Sequence, residues 1–187
     1  MILLIRHTEV ARIWRGRCYG ITDTGLSRAG AAHAAALAPE IASWRPDIVV
    51  HSGLRRAHHL ARLIAATARA EIHAVPDWRE RDFGDWEGQT WLQIHRATGD
   101  AMDGMIDAPD HFRPGGGETT TELANRAVTA FATLPPGRVA VVAHGGPIAA
   151  ILGRRQNHTP RDWLALIPAC GGSVEIARRD RIATRSR

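Results

Sequence analysis

Two continuous aliphatic runs, Ile2-Leu3-Leu4-Ile5 and Val139-Ala140-Val141-Val142-Ala143, constrain this chain more than any other feature. They are short, and no polar residue alternates with the apolar ones. Such a run reads as a strand buried on both faces, as in a parallel sheet covered by helices. Each run ends directly in histidine, as Arg6-His7 and as His144-Gly145-Gly146. Open α/β sheets hold ligands beyond the carboxyl ends of their strands. Two such ends bearing histidine, with arginine beside one of them, read as an anion pocket with an imidazole facing it.

The rest of the pattern agrees with an α/β sheet. A turn-rich loop runs from Arg15 to Asp23, and Ser27 is placed to cap an Ala-rich helix reaching about Ser43. Residues 47–50 read as a strand, 54–68 as a helix and 72–75 as a weak strand. The stretch 78–88 is polar and aromatic with glycines, so it reads as a loop rather than a core element. Helices are expected near 91–98, 118–133 and 147–153, a turn near 160–164 and a last strand near 173–177. Residues 99–117 hold two prolines and the run Gly115-Gly116-Gly117, which reads as an irregular lid or insertion. Strands alternating with helices predict a three-layer sandwich, a mostly parallel central sheet with helices on both faces. No linker divides the chain, so residues 1–187 are expected to form a single domain.

Composition narrows the function classes. The net charge is +5, and every one of the 24 basic residues is arginine. That balance suits an anionic ligand. Nucleic acid is not expected, because no basic-aromatic stripe or recognition motif accompanies the charge. No run is long enough to span a membrane, and the amino terminus lacks the pattern of a signal peptide, so a cytoplasmic protein is expected. Cys18 and Cys170 make neither a disulfide framework nor a metal spacing. No metal and no cofactor is expected. The arginine-rich end, Arg178-Arg179-Asp180-Arg181 to Arg187, reads as a solvated terminus.

The motifs taken in order carry a resemblance. Arg6-His7-Thr8-Glu9, Arg17-Cys18-Tyr19-Gly20, Ser52-Gly53-Leu54-Arg55-Arg56-Ala57, Glu80-Arg81-Asp82-Phe83-Gly84-Asp85-Trp86-Glu87-Gly88, Gly116-Gly117-Glu118-Thr119 and Ala143-His144-Gly145-Gly146 follow one another along the chain. Together they resemble the histidine phosphatase superfamily, also called phosphoglycerate mutase-like, from Leu3 to about Val174. The resemblance implies a metal-independent phosphatase acting on a small phosphorylated metabolite through a phosphohistidine. A homodimer is compatible with it.

The residue chemistry fits those implied roles. His7 is the candidate nucleophile, since a neutral imidazole can attack phosphorus and split one hard step into two. Arg6 and Arg56 are the candidate phosphate clamps, because guanidinium offers a planar fork of donors that stays charged. Spacing does not choose between Arg55 and Arg56; the family pattern, with arginine just before alanine, favours Arg56. Arg17 and Thr8 are further candidates for the same pocket. His144 is expected as imidazolium donating to a phosphoryl oxygen, with Gly145 letting the backbone and a helix amino end approach. Glu80 is the candidate general acid, with Asp82, Asp85 and Glu87 as competitors that the family pattern disfavours. Trp78, Phe83 and Trp86 are expected to wall the site or pack the core. The adjacent His58-His59 pair points to different faces of a helix and reads as surface.

Three positions depart from the family pattern. Thr8 replaces a glycine, Ile13 replaces an asparagine that contacts phosphate in many members, and Gly53 replaces a common proline, a change expected to matter little. Short length and the absence of lysine favour a phosphatase over a phosphoglycerate mutase-type phosphotransferase. Arg-His-Thr-Glu-Val and the Phe83–Glu87 loop resemble α-ribazole phosphatases of cobalamin biosynthesis. A non-catalytic phosphate-binding protein on the same fold is the remaining alternative.

Overall fold

The computed structural model describes residues 1–178. The arginine-rich terminus from Arg179 lies outside the described residues. Five strands form one sheet: β1 (Ile2–Arg6), β2 (Ile48–His51), β3 (Glu71–Ala74), β4 (Val139–Ala143) and β5 (Ser173–Ile176). Their order is β3-β2-β4-β1-β5. β1, β2, β3 and β4 are mutually parallel, and β5 lies antiparallel on the β1 edge. The helices are α1 (Arg28–Ser43), α2 (Arg55–Ala68), α3 (Trp91–Thr98), α4 (Gly104–Asp107), α5 (Thr120–Ala132) and α6 (Gly145–Arg155), with short 3-10 turns between them.

The two aliphatic runs are buried on both faces for the reason their composition implies. Ile2, Leu4, Val139, Val141 and Ala143 pack with Ala127 and Phe131 of α5 and Ile148 and Ile151 of α6. Leu3, Ile5, Ala140 and Val142 pack with Ala34, Ala38 and Ile41 of α1 and Leu60 and Ile64 of α2. Side chains two apart share a face of the sheet, so each strand feeds two helical layers. Small alanines on α1 let it lie close to α2 and the sheet. Ser27 caps α1 as expected, its hydroxyl accepting the Gly30 N–H at 2.8 Å.

Several boundaries shift. α6 begins at Gly145 rather than near 147, so its amino end abuts His144 directly. Residues 78–88 are loop and 3-10 turn, but they are not outside the core. Trp78 is fully buried beneath the α5–α6 face, and Trp86 packs with Cys18 and Ile94 in a smaller cluster. Indole area, rather than any periodicity, drives that burial. The segment 99–117 forms short helical turns including α4. Its glycine end is docked backbone to backbone on the Glu80 loop: a Cβ on Gly115 would stand 2.3 Å from the Phe83 carbonyl, and the Glu118 N–H bonds the Asp82 carbonyl at 2.8 Å. Gly53 sits at φ +88°, a conformation open to glycine and closed to proline.

Candidate active site

Register brings the two histidines together. β1 and β4 are neighbours with Arg6 opposite Ala143, and the His7 N–H bonds the Ala143 carbonyl at 3.1 Å. Both strands therefore end at the same level. The His7 and His144 rings lie 5.1 Å apart, and each residue is nearly or wholly buried.

His7 Nδ1 donates to the Thr8 carbonyl at 2.7 Å. That bond places the proton on Nδ1 and leaves Nε2 with a free lone pair. Burial, reinforced by the Arg56 and Arg6 charges, lowers the His7 pKa to about 3, so the ring is neutral across the physiological range. Arg6 donates Nη1 to the Pro168 carbonyl at 2.9 Å, while its buried Nε has no partner. A Cβ on Gly145 would lie 3.7 Å from that Nε, so the orphan donor sits over the amino end of α6. A buried donor without a partner beside a helix amino terminus is chemistry suited to an anion.

Glu80 is the carboxylate at the cavity. Its oxygens accept the Gly146 N–H at 3.0 Å and the Arg81 N–H at 2.9 Å. The competitors are employed elsewhere. Glu87 ties the entrance loop by accepting the Ile21 and Thr22 N–H groups at 2.9 and 3.0 Å, Asp82 accepts the Gly84 N–H at 2.8 Å, and Asp85 is exposed. Arg6, His7, Arg17, Glu80, Arg81 and Gly146 line one end of a cavity of about 380 Å³.

Four expectations change. The Thr8 hydroxyl donates to the Gly30 carbonyl at 2.8 Å, so its hydrogen is not available to phosphate; Thr8 serves instead through the carbonyl that orients His7. Arg56 is fully buried and gives Nη1 and Nη2 to the Thr22 and Gly20 carbonyls at 2.7 and 2.5 Å; it does not line the cavity, because a buried guanidinium must satisfy its donors. His144 is not imidazolium here. Arg56 Nε donates to its Nδ1 at 3.3 Å, its Nε2–H donates to Ser52 Oγ at 2.7 Å, and burial with the Arg56 charge holds its pKa well below 6.5. Neither His144 nor Gly145 lines the cavity; both stand one layer behind it. Arg17 does line it, although its Nε and Nη1 are held by the Ile13 and Gly88 carbonyls at 3.0 and 2.8 Å. Arg55 lies outside, paired with Asp23 at 3.1 Å, which separates it from Arg56 as the family pattern implied. Ile13 offers no polar group and is 72% exposed.

Sequence reasoning missed Ser52, Arg81 and Arg126. Ser52 accepts the His144 Nε2–H, a tautomer fixed by the Arg56 Nε–H that donates to Nδ1. Arg81 lines the cavity beside Glu80, held through Nη1 by Thr120 Oγ1 at 3.0 Å. Arg126 braces the acid-bearing loop, donating to the Asp77 and Arg79 carbonyls at 2.7 and 3.0 Å while paired with Glu118. Ser52 and Arg81 stand inside motifs that carry the resemblance, where their position beside Arg56 and Glu80 was the available signal, whereas Arg126 is one polar residue of a helix and no spacing links it to the site. Of the histidine pair on α2, His58 is exposed as expected and stacks on His51 with ring centroids 4.8 Å apart.

These histidines make the fold acid-sensitive. His7, with a pKa of about 3, and His144, well below 6.5, stay neutral when folded but take up protons near 6.5 when unfolded. Below 6.5 the unfolded state binds more protons, so stability is fully present above pH 6.5 and is lost as pH falls toward the folded values. Each histidine contributes a slope approaching roughly 1 kcal/mol per pH unit in that window. Calorimetric melts from pH 7 to 4 are expected to show a steep fall in Tm; a flat profile would contradict neutral burial of the pair.

Comparison with known proteins gives the family and the fold. The family profile "Histidine phosphatase superfamily (branch 1)" matches residues 2–183. The chain is 33% identical over 157 residues to a metal-independent phosphoserine phosphatase of Arabidopsis thaliana, covering 80% of this chain and 66% of that protein. It is 30% identical over 184 residues to glucosyl-3-phosphoglycerate phosphatase of Mycobacterium tuberculosis, covering 91% and 80%. A solved structure of a mycobacterial glucosyl-3-phosphoglycerate phosphatase superposes with a TM-score of 0.80 at 28% identity, covering 92% and 87%. Adenosylcobalamin/alpha-ribazole phosphatase of Escherichia coli is 26% identical over 155 residues, covering 81% and 76%. The chain belongs to the histidine phosphatase superfamily (branch 1), as one of its phosphatases.

Proposed function

We propose that this phosphatase hydrolyses a small phosphomonoester without metal, through a phosphohistidine at His7. The observation that carries the reading is the pairing of a neutral His7, its Nε2 lone pair free, with the partnerless buried Nε of Arg6 at the α6 amino end. A phosphoryl group seated there receives charge-assisted bonds from Arg6 and the field of α6. His7 Nε2 attacks phosphorus as the ester P–O bond breaks, and Glu80 delivers a proton to the departing alkoxide. Water then attacks the phosphohistidine, Glu80 takes its proton, and phosphate leaves with His7 restored. Arg56 contributes charge from behind, through its bond to His144 Nδ1.

In this reading residues 1–187 act as one cytoplasmic catalytic unit, with 99–117 as cover over the cavity. Among the described residues, no helix is long and apolar enough to cross a membrane. α-Ribazole 5′-phosphate is the first metabolite to assay, a choice supported by the Escherichia coli relative. The test is p-nitrophenyl phosphate turnover in EDTA, with mass spectrometry of acid-sparing quenched enzyme. Sustained turnover and a phosphoryl group on the His7 peptide are expected. Activity abolished by EDTA would overturn the mechanism. Phosphorylation of His7 with transfer only to a phosphoglycerate would make the protein a mutase.

A further inference from the structure

Beyond the phosphate end, the same cavity is apolar. Phe83, Trp91, Met105, Ile106, Trp163 and Leu164 line it. Phe83 and Trp91 meet edge to face with centroids 5.6 Å apart, which makes one aromatic wall. Met105 and Ile106 come from α4, and Trp163 and Leu164 from the 3-10 turn at Pro160–Leu166. An ion pair between Asp107 and Arg161 ties these two segments together. Leu164 is 65% exposed although it lines the cavity, so a large aliphatic side chain faces solvent where a ligand would cover it.

The two cations that line the cavity besides Arg6 are anchored by its wall: Arg17 gives Nε and Nη1 to two backbone carbonyls, and Arg81 gives Nη1 to the Glu118 carbonyl and Thr120 Oγ1, with its guanidinium 5.8 Å over the Phe83 ring. A leaving group carrying a carboxylate, such as glycerate or serine, would place its charge against tryptophan and isoleucine wherever it reached past them, which is costly. The cavity volume of about 380 Å³ falls within the range of sites that enclose an organic group well beyond phosphate.

We infer that the leaving group is a bulky apolar or aromatic alcohol, seated between the Phe83–Trp91 wall and the α4 and Leu164 side chains. This rests on the phosphohistidine reading and names the substrate class for it. A matched set of primary-alcohol esters tests it, because their leaving groups protonate alike and differ only in what enters the apolar end. The set is ethyl, n-hexyl and 2-phenylethyl phosphate, O-phosphoserine and 3-phosphoglycerate. The kcat/KM for 2-phenylethyl phosphate is expected to exceed that for ethyl phosphate and O-phosphoserine by about a hundredfold, the scale of several methylenes of apolar contact. In Ile106→Ser/Leu164→Ser the ratio of 2-phenylethyl to ethyl phosphate should fall about tenfold or more. A flat series, or preference for O-phosphoserine or 3-phosphoglycerate, overturns this inference while leaving the phosphatase reading intact. Failure to hydrolyse any ester, p-nitrophenyl phosphate included, overturns that reading itself.

Discussion

His7→Ala is expected to lower kcat by about four orders of magnitude or more while the protein stays folded, the scale seen when a covalent nucleophile is removed. The reason is specific to the site. His7 is neutral, its tautomer is set by the Thr8 carbonyl, which leaves the Nε2 lone pair free, and it lines the cavity together with Arg6. Among the described residues, His7 is the one histidine lining the cavity, and His144, which does not line it, has both nitrogens bonded. Deletion of the ring sacrifices one hydrogen bond worth about 1 kcal/mol and removes a buried titratable group, so the Tm at pH 7 should change by only a few degrees. Below pH 6 the variant should lose stability less steeply than wild type, because one of the three histidines that burial holds neutral, His7, His51 and His144, is gone. Near-wild-type turnover in His7→Ala would remove the basis of the mechanism, and stopped assays on the purified variant with p-nitrophenyl phosphate decide it.

Glu80→Gln should separate substrates by leaving group. An alkoxide needs a proton as the P–O bond breaks, whereas nitrophenolate leaves unaided. Alkyl phosphates should slow by about a thousandfold and p-nitrophenyl phosphate by tenfold or less, within the usual range of general acid catalysis. Gly146→Ala approaches the same result from the backbone. A Cβ there would stand 2.1 Å from Glu80 Oε1, so the carboxylate must move although alanine favours the helix. Its alkyl-selective loss should be smaller than that of Glu80→Gln. Equal losses on both ester classes in Glu80→Gln would show that the carboxylate does not protonate the leaving group.

Legibility differed by the range of the physics involved. The strands β1 and β4, the Ser27 cap and the extents of α1, α2 and α3 were readable because burial on two faces, capping and helical periodicity are local signals. The candidate nucleophile and acid were readable from motif order, and the structure puts His7 and Glu80 at one end of one cavity. That Trp78 would pack the core or wall the site was readable from its apolar area, but not which of the two, since a tryptophan in a polar loop carries no period. The segment 99–117 read only as an irregular lid or insertion, and close backbone approach to residues 82–86 is what the missing side chains of its glycine run permit.

The local chemistry of the chain was enough to establish two central strands ending in histidine, helices alternating with them, and the residue types of a phosphate site. Tertiary structure alone decided how those residues divide their hydrogen bonds. Thr8 turned its hydroxyl to Gly30, Arg56 its donors to the entrance loop and His144, and His144 its Nε2 to Ser52. The partners lie tens of residues apart in sequence. A buried donor takes whichever acceptor the folded chain brings within reach, and that depends on strand register and loop docking rather than on any local pattern.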